Sequence, residues 1–228
     1  MKVGAIYTGL QSLPPSTGVP SLFVDLSGFS GKEPKHMNND KIPKVSGEYP
    51  TDQIFNSITG LLTEHLIRNV VFTGGEPLFQ RHHVYNLAEN LIRNGMFVEI
   101  DTTGFIKPEV VLGSSVMGVQ WNVAPLWTDL KNPYIKDFLM TGRAYVRLKI
   151  NPYDDHGIIK KRMEELKVFI DTYSSFNVAD RIYLIPEEVP GTEYVDCIRD
   201  TFILAKMSNT KVAPVIDWNS AEVCAEQP

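Results

Sequence analysis

Cysteine is the first scarcity. The 228 residues hold two, Cys197 and Cys224, too few for a secreted disulfide framework, and a reducing compartment suits them. Long apolar runs are missing as well. Polar residues interrupt every hydrophobic stretch well short of the roughly 20 residues of a membrane span, and the N-terminus has no basic region followed by an apolar core. These absences predict a soluble, cytoplasmic protein. Charge of one sign is equally scarce: Lys and Arg total 22 against 27 Asp and Glu, a formal net charge of -5, with neither sign gathered in a tail or stripe. That removes the electrostatic reason to expect nucleic-acid binding. No Walker loop, zinc spacing or catalytic triad can be read.

What is present is core-forming sequence, 43% hydrophobic, enough at this length for one domain over 1–228. Apolar, β-branched runs predict strands at Pro20 to Leu26, Asn69 to Thr73, Met96 to Thr102, Val116 to Asn122, Ala144 to Ile150, Arg181 to Ile185 and Lys211 to Ile216. Helix-period sets fall between several of them. Ile54, Ile58, Leu61 and Leu62 follow the start signal Pro50-Thr51-Asp52, and Val84, Leu87, Ala88, Leu91 and Ile92 end near Asn94-Gly95. Ile159, Met163, Leu166 and Ile170 form a third set; Val195, Ile198, Phe202 and Ala205 form a fourth behind Thr192 as N-cap. Strand and helix alternate, which predicts an α/β fold with a mostly parallel sheet and outer helices, its ligands at the C-terminal strand ends. A full eight-unit barrel typically takes about 250 residues, so a partial (β/α) barrel or an open sheet fits better. A polar loop at about 27–50 exceeds the usual β-to-α connection, and a polar tail occupies about 219–228.

The sharpest local feature is Val70-Val71-Phe72-Thr73-Gly74-Gly75-Glu76-Pro77. A buried strand running into two glycines, a carboxylate and a proline reads either as a tight turn before a helix-initiating proline or as a place where backbone meets a ligand and Glu76 receives an ammonium group. The turn accounts for the glycines. Glu76 has no structural duty visible in the sequence, which tips the reading towards a retained ligand. Upstream stand Leu10-Gln11 and Thr17 to Gly28, and downstream Val98-Glu99-Ile100-Asp101-Thr102-Thr103-Gly104. In order and spacing these resemble the radical-SAM 7-carboxy-7-deazaguanine synthase family, strongly up to Gly104 and weakly beyond, through Lys149 and Arg181 to Pro186.

The resemblance implies a partial (β/α) barrel of the radical-SAM type, a homodimer, and S-adenosylmethionine bound across the strand ends. Carried over by position, Thr73, Gly74, Gly75 and Glu76 would meet the methionine end of that cofactor, with Asp101 and Thr103 as further polar contacts. Gln11, Asp25 and Lys149 would face a pterin-like or nucleotide-like substrate. The family's three cluster cysteines, however, correspond here to Phe29, Glu33 and His36, poor ligands for iron–sulfur chemistry. An iron–sulfur cluster is therefore not expected. The substrate side has changed too: a family arginine is Asp25, Ser-Pro-Lys reads Ala124-Pro125-Leu126, and a C-terminal Gln and His correspond to Val215 and Asp217. The expectation is a pseudoenzyme that binds a small molecule, a protein partner or both. The alternative is a non-radical enzyme, with Glu76, Asp101, Asp25 or Lys149 as acid–base groups, or an accessory protein of 7-deazaguanine metabolism.

Other polar clusters have plainer readings. His36, Asn38, Asn39 and Asp40 suit a solvated loop, and His82-His83 diverge by about 100° on a helix. Asp154-Asp155-His156 suits a helix N-cap, and Cys197 a packed helix position.

Overall fold

Alternation of apolar and polar side chains decides which face of each strand meets the helices. The computed structural model describes residues 1–26, 47–109 and 118–213. In chain order the strands are β1 (Lys2–Val3), β2 (Ala5–Leu10), β3 (Pro20–Asp25), β4 (Gly47–Glu48), β5 (Asn69–Thr73), β6 (Phe97–Thr102), β7 (Gln120–Val123), β8 (Ala144–Ile150), β9 (Ile182–Pro186) and β10 (Lys211–Val212). The α-helices are α1 (Thr51–His65), α2 (Arg81–Arg93), α3 (Tyr134–Met140), α4 (His156–Thr172) and α5 (Tyr194–Ser208). An eight-stranded sheet runs β10-β9-β8-β7-β6-β5-β3-β2. Every pair from β3 to β10 is parallel, and β2 joins the edge antiparallel to β3.

Parallel neighbours require crossovers, and the helices supply them. Their buried sets match the helical period: Ile54, Ile58 and Leu62 in α1, and Val84, Leu87, Ala88 and Leu91 in α2. Against these helices the sheet presents its apolar face, including Leu22, Val24, Val70, Phe72, Val98, Ile100, Trp121, Val123, Val146 and Leu148, all buried in one cluster. The opposite face is polar. Because side chains alternate, it carries Asp25, Asn69, Thr73, Glu99, Asp101, Gln120, Asn122, Arg147 and Lys149. The connection from β2 to β3 crosses this face: Gln11 Nε2 reaches Glu99 on β6 at 3.5 Å, and the Pro14 carbonyl accepts from Arg147 Nε on β8 at 2.7 Å.

The expected elements are present, with shifts at several ends. The strand expected from Val116 begins among the described residues at Gln120, and of Lys211 to Ile216 the described part is Lys211–Val212. Thr192 is not the N-cap of α5; that position is Glu193, without a side-chain cap bond. Asp155 does cap α4, accepting from Gly157 N at 2.8 Å, while Asp154 pairs with Arg162. Cys197 is fully buried on α5. No helix among the described residues is long and apolar enough to cross a membrane.

Candidate functional site at the strand ends

The strand β5 delivers Thr73 to its C-terminal end and the chain then turns through Gly74 and Gly75 at φ 76° and 59°. Both angles lie where a side chain is strained, so glycine is required for the turn itself. Pro77 opens a 3-10 turn, Pro77–Gln80, that leads into α2. Glu76 closes this turn. Its Oε1 accepts from Leu78 N at 3.1 Å and from Thr102 Oγ1 at 2.8 Å, while Oε2 accepts from Thr103 N at 2.8 Å and Thr103 Oγ1 at 2.6 Å. A carboxylate has about four lone-pair sites, and these four donors fill them. Glu76 therefore has the structural duty that the sequence did not disclose, fastening the β5–α2 turn to the end of β6.

A second group gathers beneath the turn. Asp101 on β6 accepts from Thr73 Oγ1 at 3.0 Å, Asn122 Nδ2 at 2.9 Å and Arg147 Nη1 at 3.0 Å. Arg147 is only 4% exposed, and the pairing with Asp101 offsets the desolvation of both charges. Asp25 is buried next to Thr73, its partner in the β3–β5 register. Tyr7 on β2 stacks on Phe23 with centroids 5.0 Å apart, and its phenol is pushed well above the ordinary range, first by burial and then by the Asp25 and Asp101 carboxylates. It stays a hydrogen-bond donor. Across the face, burial and then the neighbouring Tyr145 push the Tyr183 phenol up, opposed by Arg147.

The structure thus brings Thr73 to Asp101 and Glu76 to Thr103 by direct bonds, with Asp25 alongside. Lys149 lies towards the end of β8, its side chain exposed and its carbonyl accepting from Trp127 Nε1 at 2.7 Å. Gln11 is set apart, since it follows β2 where that strand meets the beginning of β3. Phe29, Glu33 and His36 lie outside the described residues, as do His36's loop neighbours, Val215, Asp217 and Cys224. Sequence reading missed Arg147, Asn122, Asn69 and Tyr7. The available signal was polar residues at period two inside strands that are otherwise apolar, such as Tyr145, Arg147 and Lys149 in β8.

No family model matches the chain. Individual proteins do. The 7-carboxy-7-deazaguanine synthase of Hyperthermus butylicus is 31% identical over 163 residues, 66% of this chain and 65% of that protein. The protein of the same name from Methanospirillum hungatei is 30% identical over 106 residues, 46% of this chain and 43% of that one. The chain thus spans less than two thirds of either relative. The one from Pyrobaculum aerophilum is 24% identical, and the alignment covers 97% of this chain and 96% of its own. Among solved structures, QueE from Escherichia coli matches with a TM-score of 0.62 at 17% identity, covering 93% of this chain and 92% of that one. This last likeness establishes the fold.

Proposed function

This chain is a homologue of the 7-carboxy-7-deazaguanine synthases with a radical-SAM fold, and from that premise we propose that it has given up radical chemistry and works by binding a small ligand at its strand ends. The observation that carries this reading is the distribution of thiols. The first cysteine of the chain is Cys197, which is buried on α5 in the helical layer, and the second is Cys224. Phe29, Glu33 and His36 hold the positions that match the family's cluster cysteines, and they do not offer the soft thiolate set such a cluster needs. No step of a reaction is assigned to these residues.

The same geometry supports a ligand class. Asp25, Asp101 and Thr73 line the strand ends with Tyr7 nearby, and Arg147 bonds Asp101 through Nη1 and the Pro14 carbonyl through Nε while its buried Nη2 has no partner among the described residues. Two carboxylates against one guanidinium favour a cationic or donor-bearing nucleoside, S-adenosylmethionine being the family's own example. With both Glu76 oxygens engaged, recognition rests on Asp101 and Thr73 together with the backbone of the glycine turn. A protein partner that reads the liganded state is compatible with such a binding role.

Calorimetric titration with S-adenosylmethionine and S-adenosylhomocysteine tests this. The sulfonium compound is expected to bind more tightly than its neutral-sulfur analogue, and Asp101→Asn should shrink that difference. Failure of both compounds to bind the wild-type protein would remove the ligand from the account.

A further inference from the structure

A large groove lies open in the outer layer of helices. It runs between α4 and α5 and encloses about 810 Å³. The two helices lie side by side in one direction, because each returns the chain between parallel neighbours, α4 from β8 to β9 and α5 from β9 to β10. The floor is apolar: Ile159, Met163 and Ile170 from α4 and Leu204 from α5. Met207 stands on the α5 rim, 74% exposed, and Ile203 one turn back is exposed as well. Apolar side chains left in water on adjoining turns favour a cover.

The α4 rim identifies the cover by its charges. Lys160, Glu164, Lys167 and Asp171 line it, at spacings of four, three and four residues that put all of them on one stripe of the helix. All four are exposed, and none makes an ion pair among the described residues, unlike Arg162 on the same helix, which pairs with Asp154. Their signs alternate, beginning with a cation and ending with an anion. Such a stripe is complementary to its own reverse. A second copy laid antiparallel sets Lys160 against Asp171 and Glu164 against Lys167, and twofold symmetry repeats both pairs. A parallel copy in the same register would set every charge against its own like.

We propose that the α4–α5 groove is the interface of a homodimer, in which α4 of a second copy lies antiparallel along α4 and covers the apolar floor. This gives a face to the homodimer implied by the resemblance, argued from the groove's own residues. The floor and Met207 supply the apolar contact. The rim pairs stay within reach of water, so they set register and orientation more than they add affinity. The interface is on the outside of the helical layer, whereas the ligand site belongs to the polar face of the sheet, and neither depends on the other.

Sedimentation velocity of the full chain across a concentration series tests the proposal. Wild-type protein should show a reversible monomer–dimer equilibrium. Lys167→Glu, which meets Glu164 of the second copy, should raise the dissociation constant at least tenfold. Adding Glu164→Lys to the same chain exchanges the signs of that pair and should bring the constant back to the wild-type value. Met207→Arg should also weaken the dimer at least tenfold, whereas Lys161→Glu, an equal change of charge about 100° round the helix from Lys160, should leave it within about twofold. These side chains are exposed in the monomer, and thermal melts check that each variant folds. A wild-type protein that stays monomeric, whether or not another protein occupies the groove, would overturn the proposal, and so would a dimer that Lys167→Glu and Met207→Arg leave intact.

Discussion

Glu76 accepts from four donors belonging to three residues, so its replacement is felt first in stability. Glu76→Gln keeps the shape but places an NH2 group opposite the Thr103 N–H and hydroxyl. Hydrogen bonds to a charged group contribute about 1.5–3 kcal/mol; a loss of about 2 kcal/mol is expected, which lowers Tm by roughly 4–8 °C for a chain of this size. Differential scanning calorimetry measures it. Affinity for S-adenosylmethionine in the folded variant should stay within about threefold of wild type, because the carboxylate has no acceptor site left for the ligand; a tenfold loss would return Glu76 to the role first read from the sequence. Arg147 shows the reverse case. Its guanidinium stands at period two with Tyr145 and Lys149 in a strand that was read only as core, and it anchors Asp101 and the β2–β3 connection together.

At the scale of elements, α1 ends on Leu66, whose φ of 55° is left-handed and whose N–H bonds the Leu62 carbonyl. The side chain is 89% exposed, so no packing offsets the conformational cost. Leu66→Gly should therefore raise stability by about 0.5–1 kcal/mol, read as a higher urea midpoint at unchanged slope. The join between α1 and α2 carries a pH dependence. His83 Nδ1 lies 2.8 Å from Thr51 Oγ1, and its pKa is lowered from 6.5 by burial first, then by the charge of the N-terminus and by His82. With the folded value below the unfolded one, the unfolded chain binds the proton more readily. Stability from this group is full above pH 6.5 and is lost as pH falls through that value towards the folded pKa. His83→Gln should accordingly lose less stability than wild type between pH 7.5 and 5.5 in urea titrations. Elements with strong periodicity, such as β5 and α2, were legible from sequence. The edge strand β2 was not, because Ala5–Leu10 buries only its first residues, and α3 was not, because Tyr134–Met140 is too short to show a helical repeat.

For the molecule as a whole, β/α alternation and the family resemblance led from sequence to a partial (β/α) barrel with a mostly parallel sheet and outer helices, because crossover helices must separate parallel strands, and the eight-stranded sheet follows that plan. The candidate site was legible at its glycine turn and at Asp101, where motif and strand end coincide. Its other half was hidden, since Asn122 and Arg147 meet Asp101 only when β6 to β8 align in register. The central claim is loss of the cluster, and anaerobic reconstitution with iron and sulfide tests it most directly, with metal analysis followed by assay for 5′-deoxyadenosine from S-adenosylmethionine. The account predicts no stoichiometric iron or sulfide on the folded protein after desalting and no deoxyadenosine. Four irons and four sulfides per chain, with cleavage of S-adenosylmethionine on reduction, would contradict it.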